Sequence, residues 1–566
     1  MTATLEGSMH RYKLWLLAGL VFTSLIVAGT GSASSQSSKA GGTVVFGAEQ
    51  EPGILNTDII GGNLFWGAEV VSPVFPTAYR IYPDYSFRPE LVSTVKVQSS
   101  PFRLTYYIKK NAVWNEPGGK TVPITAQDFI FSVKTIMTKD FKILSQTGYE
   151  DIKSMKALNA KTVRLTFSKP FAGWRTLFGA QAVMPNFALK GEDFNKVWIN
   201  DLNDPKTGKP ISGGPFYLPN GGWDRGKQLT LLRNPKYWGP KAKLARAVYR
   251  FLPDTNSTAE AIRGSEVDVI YPQPQLFLVP LRHASGIKTQ VGRGPIYEHI
   301  DFNVGFGKGP FNDLLKQLWM RQAIAYGIDR RAMVDALYTK TDIAPGLPVL
   351  NDPIVLTGNK YYKGHWKVYG HNAKKSISIM KAHGCTGGPS TPGAGGVWSC
   401  NGTKASFKFK WKSGNQLRQL SFEAMQAQLK DVGIQLIADD TPNALTQDLP
   451  GGNYDIILFA WVGSPDITGN DAIYGCRSGS THAQDNNQGY CNAKVDKLLV
   501  ATNHELNSAK QFALTNQALV LMAKDLTTIP LFQKPTYLVY RTAMKGLKEN
   551  PTNEGPVWNI NKWTKT

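Results

Sequence analysis

Catalytic signatures are missing from this 566-residue chain. It has no G-x-S-x-G elbow and no H-E-x-x-H pair, and its eight histidines are scattered. Serine-hydrolase and zinc-protease chemistry therefore lack their usual carriers. No run of five basic residues occurs, although the net charge is +22. A dispersed excess reads as a solvated surface and not as a nucleic-acid stripe. It suits contact with an acidic cell-wall or lipid surface, or an anionic ligand. Past residue 33 no apolar run approaches the length of a membrane span, and no internal repeat is found.

The one long apolar run lies at the start. Arg11 and Lys13 precede Leu14–Ala28, which is followed by Gly29-Thr30-Gly31-Ser32-Ala33 and a Ser-rich stretch. This is the order of a secretory leader, with cleavage expected after Ala33 and a small-residue linker over 34–42. The same run kept as an anchor is the alternative. An exported chain with an even number of cysteines points to disulfides. Four allow three pairings; the favoured one is Cys385–Cys400 with Cys476–Cys491, each pair 15 apart. A loop of that length gives about 3 kcal/mol in the chain-entropy picture. A zinc site built from His371, His383, Cys385 and Cys400 explains the same residues less economically.

The richest stretch is Tyr454–Asp471, YDIILFAWVGSPDITGND. An uninterrupted apolar run reads as a strand buried on both faces, and it opens at Trp461 into small polar residues. Open α/β sheets present ligands just beyond such strand ends. Earlier, Thr43–Ala48 reads as a short buried strand running into Glu49-Gln50-Glu51. Phe102–Lys109 and Lys161–Phe167 alternate as half-buried strands. Thr125 to Asp128 is a capping box before a helix with Phe129, Val133 and Ile136 on one face. Gly213–Tyr217 leads into a hairpin returning over Gln228–Leu232. The glycines at 221 and 226 mimic a P-loop, but Gln228 stands where Ser or Thr is needed and a strand follows. Strands are expected at Glu298–Val304, Ser406–Lys412, Ile434–Ala438 and Thr528–Tyr540. Helices are expected at Phe311–Ile328, Lys374–His383, Leu417–Val432, Val495–Ala501 and Ser508–Asp525. The order after residue 406 predicts an α/β lobe with a mainly parallel sheet.

Several segments in sequence order resemble one family, the solute-binding proteins of ABC importers of family 5, the oligopeptide-, dipeptide- and nickel-binding class. They are Pro89-Glu90-Leu91, TAQDFIFSV within 106–136, GGPFYL to LLRNPKYW over Gly213–Trp238, MRQAIAYGIDR over Met320–Arg330, MQAQLKDVGIQL over Met425–Leu436, YDIILFAW at 454–461 and IPLF at 529–532. The resemblance implies a two-lobed α/β periplasmic-binding-protein fold, class II-like, with the ligand cleft between the lobes. Lobe one would span 43–294 plus 526–566, with an inserted subdomain at about 81–203; lobe two would span 295–525. It further implies an exported monomer, in the periplasm or at the cell-envelope exterior, that hands a small-molecule or short-peptide ligand to an ABC permease. No catalysis, cofactor, metal or nucleic acid would be involved. An envelope protein reusing the fold for glycolipid or cell-wall assembly is the alternative.

Two departures from the family stand out. Gly29–Ser35 holds no lipobox cysteine, so no lipid anchor is expected. Peptide-binding members resemble W-x-x-D after the apolar strand, whereas here that offset is Ser464, with Asp466 two residues later. Trp461 is the leading ligand contact, as a stacking platform; a core Trp closing the sheet end is the competing reading. Ser464, Asp466 and Asp471 would join it on one rim, and Glu49, Glu51, Trp66 and Asn303 on the opposite rim or hinge.

Overall fold

A computed structural model describes residues 41–62, 64–307, 309, 311–477 and 485–566. The expected leader over 1–33 and all but the end of the linker lie outside the described residues. The principal strands are β1 (Thr43–Ala48), β2 (Val92–Ser99), β3 (Phe102–Ile108), β4 (Ile152–Asn159), β5 (Thr162–Phe167), β6 (Phe216–Tyr217), β7 (Gln228–Arg233), β8 (Arg246–Phe251), β9 (Val269–Ile270), β10 (Ile287–Phe302), β11 (Ser406–Lys412), β12 (Gln435–Thr441), β13 (Ile456–Val462) and β14 (Thr528–Arg541). The main sheet runs in the order β6-β7-β8-β1-β9-β14-β10-β13-β11-β12. A separate antiparallel sheet has the order β2-β3-β5-β4.

Two hydrophobic cores flank the middle of the main sheet. The first gathers Phe46, Tyr106, Phe129, Leu231 and Tyr249. The second gathers Ile300, Phe409, Met425, Leu458 and Leu519. Strand β14 feeds both, with Leu538 in the first and Phe532 in the second. Its residues Thr528–Tyr540 are all buried. Pairing with β10 shifts register between Arg293 and Tyr297 and between Glu298 and His299. Pro295, Pro530 and Pro535 fall in this stretch. A proline has no N–H for the ladder, so the irregularities collect where these strands pass from one core to the other.

Local chemistry sets the helices. Helix α1 (Ala126–Ile136) starts at the expected capping box: Thr125 N donates to Asp128 Oδ2 at 2.6 Å, and Gln127 N donates to Thr125 Oγ1 at 3.3 Å. Its buried Phe129 packs on Tyr106 of β3, ring centroids 5.6 Å apart. The region expected as one helix over 311–328 is instead a 3-10 turn, Asp313–Lys316, followed by α2 (Leu318–Gly327). Asn312 caps the 3-10 turn, its side chain accepting from Leu314 N and its own N–H donating to Asp455 Oδ1 at 2.6 Å, and the break falls at Gln317, whose backbone is extended (φ −79°, ψ 122°). Helix α3 covers Ala373–Ala382. Helix α4 (Gln416–Asp431) is capped by Asn415 and buries Phe422, Met425 and Leu429, each worth about 1.5–3 kcal/mol. It stops at Gly433, whose φ is +78° and where a Cβ would lie 2.3 Å from Pro389. Helices α5 (Ala493–His504) and α6 (Ser508–Asp525) pack together ahead of β14.

One strand and the sense of the sheet differ from expectation. Strand β10 begins at Ile287, well before Glu298, because its polar N-terminal half pairs with the C-terminal half of β14. The sheet beyond residue 406 is parallel only among β11, β12 and β13; β10 pairs antiparallel with both β13 and β14. Both favoured disulfides form, Cys385–Cys400 and Cys476–Cys491. The cysteines drawn into the alternative zinc site are thus bonded to each other.

Candidate functional site

Segments from the two cores meet directly. Ala172 N donates to Asn503 O at 2.7 Å, and His504 Nδ1 lies 2.7 Å from Pro170 O. At Gly173 a Cβ would sit 2.3 Å from Thr468 Oγ1 and 2.7 Å from Asp466 Oδ2. Glycine is what lets this backbone close onto the loop after β13.

Two cavities are walled by residues from both sides. The first, about 450 Å³, has Asp58, Tyr149 and Leu177 facing Ser464, Asp466 and Ile473. The second, about 280 Å³, has Glu49, Trp66 and Gln273 facing Lys412 and Asn415, and Lys534 of β14 also lines it. A larger concavity of about 520 Å³, lined by Arg80, Tyr82, Trp238 and Trp558, is built by the first-core side alone and faces no second surface.

The first cavity takes its floor from the loop that β13 opens into. Ser464 Oγ accepts from Asp466 N at 3.1 Å, and Asp466 Oδ1 accepts from Thr468 N at 3.0 Å. These short bonds fold the loop back so that Ser464 and Asp466 share one wall. Burial pushes the Asp466 carboxyl upward, with Thr468 and Arg175 pulling the other way. On the facing wall, burial alone pushes Asp58 up to about 7, and its Oδ2 is buried without a hydrogen-bond partner.

The second cavity is bordered by an ionic chain that joins the two sides. Glu298 Oε1 lies 2.9 Å from Lys534 Nζ, and Glu298 Oε2 lies 3.1 Å from Arg418 Nε. Lys534 Nζ also donates to Gln273 Oε1 at 2.9 Å, and Gln273 N donates to Glu49 Oε2 at 3.3 Å. Burial pushes the Glu298 carboxyl up, but Arg418 and Lys534 outweigh it and hold it down at about 2. Burial in turn pushes the Lys534 ammonium down against the pull of Glu298.

The expected site residues divide accordingly. Ser464 and Asp466 share the first cavity; Glu49 and Trp66 share the second. Trp66 is also packed edge-on to Phe46. Asp471 stands behind the first wall, with Oδ1 accepting from Asn503 Nδ2 at 2.9 Å. Glu51 is bound to Trp223 Nε1 and Gly226 N, and Asn303 ties Phe306 to Gly452. Neither lines a cavity between the cores. Trp461 is half-buried against Phe459 and His299, outside both linings, and its Nε1 is buried without a hydrogen-bond partner. Sequence reasoning missed Asp58, Tyr149, Lys534 and the Glu298–Arg418 pair. Lys534 did leave a signal, as a lone charge inside the long apolar run of β14.

The match to known proteins accords with this geometry. Residues 86–481, more than half of the chain, match the family described as "Bacterial extracellular solute-binding proteins, family 5 Middle". The chain belongs to this family. Among its relatives, the oligopeptide-binding protein OppA of Mycobacterium tuberculosis is 26% identical over 529 residues, covering 89% of this chain and 82% of the relative. The solved periplasmic EDTA-binding protein EppA superposes with a TM-score of 0.81 at 23% identity, covering 93% of this chain and 97% of that one. The oligopeptide-binding protein AppA from Bacillus subtilis, solved with a nonapeptide, gives 0.76 at 20% identity over 93% and 99%. The two-lobed α/β fold of periplasmic binding proteins is therefore the fold of this family 5 chain.

Proposed function

We propose that this chain is an exported receptor that captures a peptide or peptide-like solute between its lobes and delivers it, chemically unchanged, to an ABC-transporter permease. The observation that carries the reading is the first cavity, whose polar walls come from opposite lobes. A solute there contacts both lobes at once and so favours their closed arrangement. Lobe one comprises 43–294 and 526–566, with its inserted subdomain at about 81–203; lobe two comprises 295–525. The crossing strands β10 and β14 act as the hinge. The receptor works as a monomer outside the cytoplasm, its leader removed after Ala33 and without a lipid anchor. Ser464 and Asp466 shape the lobe-two side of the site, with Asp471 behind them, and Glu49 and Trp66 the second cavity; Trp461, Glu51 and Asn303, expected beside them, stand outside both linings.

Native mass spectrometry of the protein purified from its host tests the reading. A co-purified peptide-like solute, recovered unmodified, supports it. A solute of another class, or one converted to product, refutes it. A thermal-shift screen in which no short peptide raises the melting temperature also counts against it.

A further inference from the structure

The first cavity runs against the charge of the molecule that holds it. The chain carries 64 lysines and arginines against 42 acidic residues. Yet the described lining of this cavity contains three carboxylates, Asp58, Asp466 and Asp485, and no lysine, arginine or histidine. The second cavity, by contrast, sets Lys412 and Lys534 against Glu49.

The three carboxylates are not equivalent. Arg175 acts on Asp466, and Arg477 acts on Asp485. Among the described residues no cation acts on Asp58, and its Oδ2 is buried with no donor. Thr57, next to it in the chain, is engaged elsewhere: its N and Oγ1 both donate to Gln181 Oε1 at 2.6 Å. Its backbone is fixed, with Asp58 N donating to Asn56 Oδ1 at 3.2 Å and Asp58 O accepting from Leu144 N at 2.8 Å. A positioned carboxylate without a partner is costly for the closed protein alone, and a charged N–H donor is the chemistry that relieves the cost best. Because Asp466 stands on the opposite wall, one solute with two separated cationic groups can engage both lobes.

Resting on the receptor reading above, we propose that this cavity selects solutes with a basic side chain, whose ammonium or guanidinium group is held by Asp58. This reverses the anionic ligand suggested by the overall charge.

Isothermal titration with three tripeptides tests the proposal: Ala-Lys-Ala, Ala-norleucine-Ala and Ala-Glu-Ala. All share an α-ammonium group and differ only in the central side chain. The lysyl peptide should bind at least tenfold tighter than the norleucyl peptide, with the glutamyl peptide weakest. Asp58→Asn should bring the lysyl affinity down to the norleucyl level. Equal lysyl and norleucyl affinities in the wild-type protein, a comparison that needs no variant, would overturn the proposal and leave the receptor reading intact. A lysyl preference that survives Asp58→Asn would overturn the role of Asp58. Binding of none of the three would remove the peptide-receptor reading itself, and this inference with it.

Discussion

Glu298 and Asp58 are both carboxylates enclosed where the lobes meet, and they sit at opposite ends of the carboxylate range. Glu298 is held at about 2 by Arg418 and Lys534; Asp58 is pushed to about 7 because burial has no opposing cation. Enclosure therefore does not decide the charge of a wall; the neighbours do. The Glu298 cluster is complete within the protein and braces β10 against α4 and β14. The Asp58 wall is complete only when something else supplies the positive charge. One cavity is bordered by architecture, the other by an open valence.

The comparison can be broken most forcefully at the brace. Glu298→Gln leaves Arg418 and Lys534 enclosed without their counter-charge, and should cost about 3–5 kcal/mol in denaturant unfolding at neutral pH. Because the folded carboxyl titrates below its unfolded value of 4.5, its contribution is complete above about pH 4.5 and is lost as pH falls toward 2. The gap between wild type and variant should narrow on acidification; a constant gap would mean that the brace is not electrostatic.

Next in size is the clamp on the acidic wall. Cys476 and Cys491 flank Asp485, and Asn486 Nδ2 donates to Gly475 O and Tyr490 O at 2.6 Å each. Replacing both cysteines by serine should cost about 2–4 kcal/mol of stability. It should weaken solute binding at the first cavity. Unchanged affinity would separate this loop from the site.

Asp58→Asn should move stability the other way. The folded carboxyl titrates above its unfolded value, so its penalty is absent below about pH 3.8, grows between 3.8 and about 7, and is full above. The solute-free variant should be more stable than wild type by about 1–2 kcal/mol at pH 8, a shift discounted for partial exposure, and equal to it at pH 3.5. Thermal melts at the two pH values check both halves. The smallest effect concerns Trp461→Phe, which keeps a ring between Phe459 and His299 and removes the unpartnered indole N–H. Stability should stay within about 0.5 kcal/mol, and solute affinity should not change, because Trp461 lines neither cavity. A fall in affinity would bring Trp461 back into the site.

What the sequence made legible followed from local chemistry. Thr125 with Asp128, Asn415 before α4, Gly433 after it, and the apolar run of β13 each announce an element through nearest neighbours. The first half of β10 was hidden, because Ile287 to Gly294 reads as a polar, Gly-containing loop. Only pairing with a partner some 240 residues away makes it a strand. The same division holds for the site. Ser464 and Asp466 were visible because they follow a buried strand directly. Asp58 belongs to no motif and has no periodic neighbours. Its significance comes from Gln181, Leu144 and the lobe-two loop closing around it, none of which lies near it in the chain.

The pair Cys476–Cys491 also says something about timing. A newly made chain with reduced thiols has one wall of its solute cavity untethered. In a thiol-reducing cytoplasm it is a poor trap for the solutes abundant there. Oxidation comes only after export. In a receptor exported before oxidation, competence to capture would be deferred until the protein reaches the side of the membrane where capture is useful, and arrival already loaded with the cell's own solutes would be avoided.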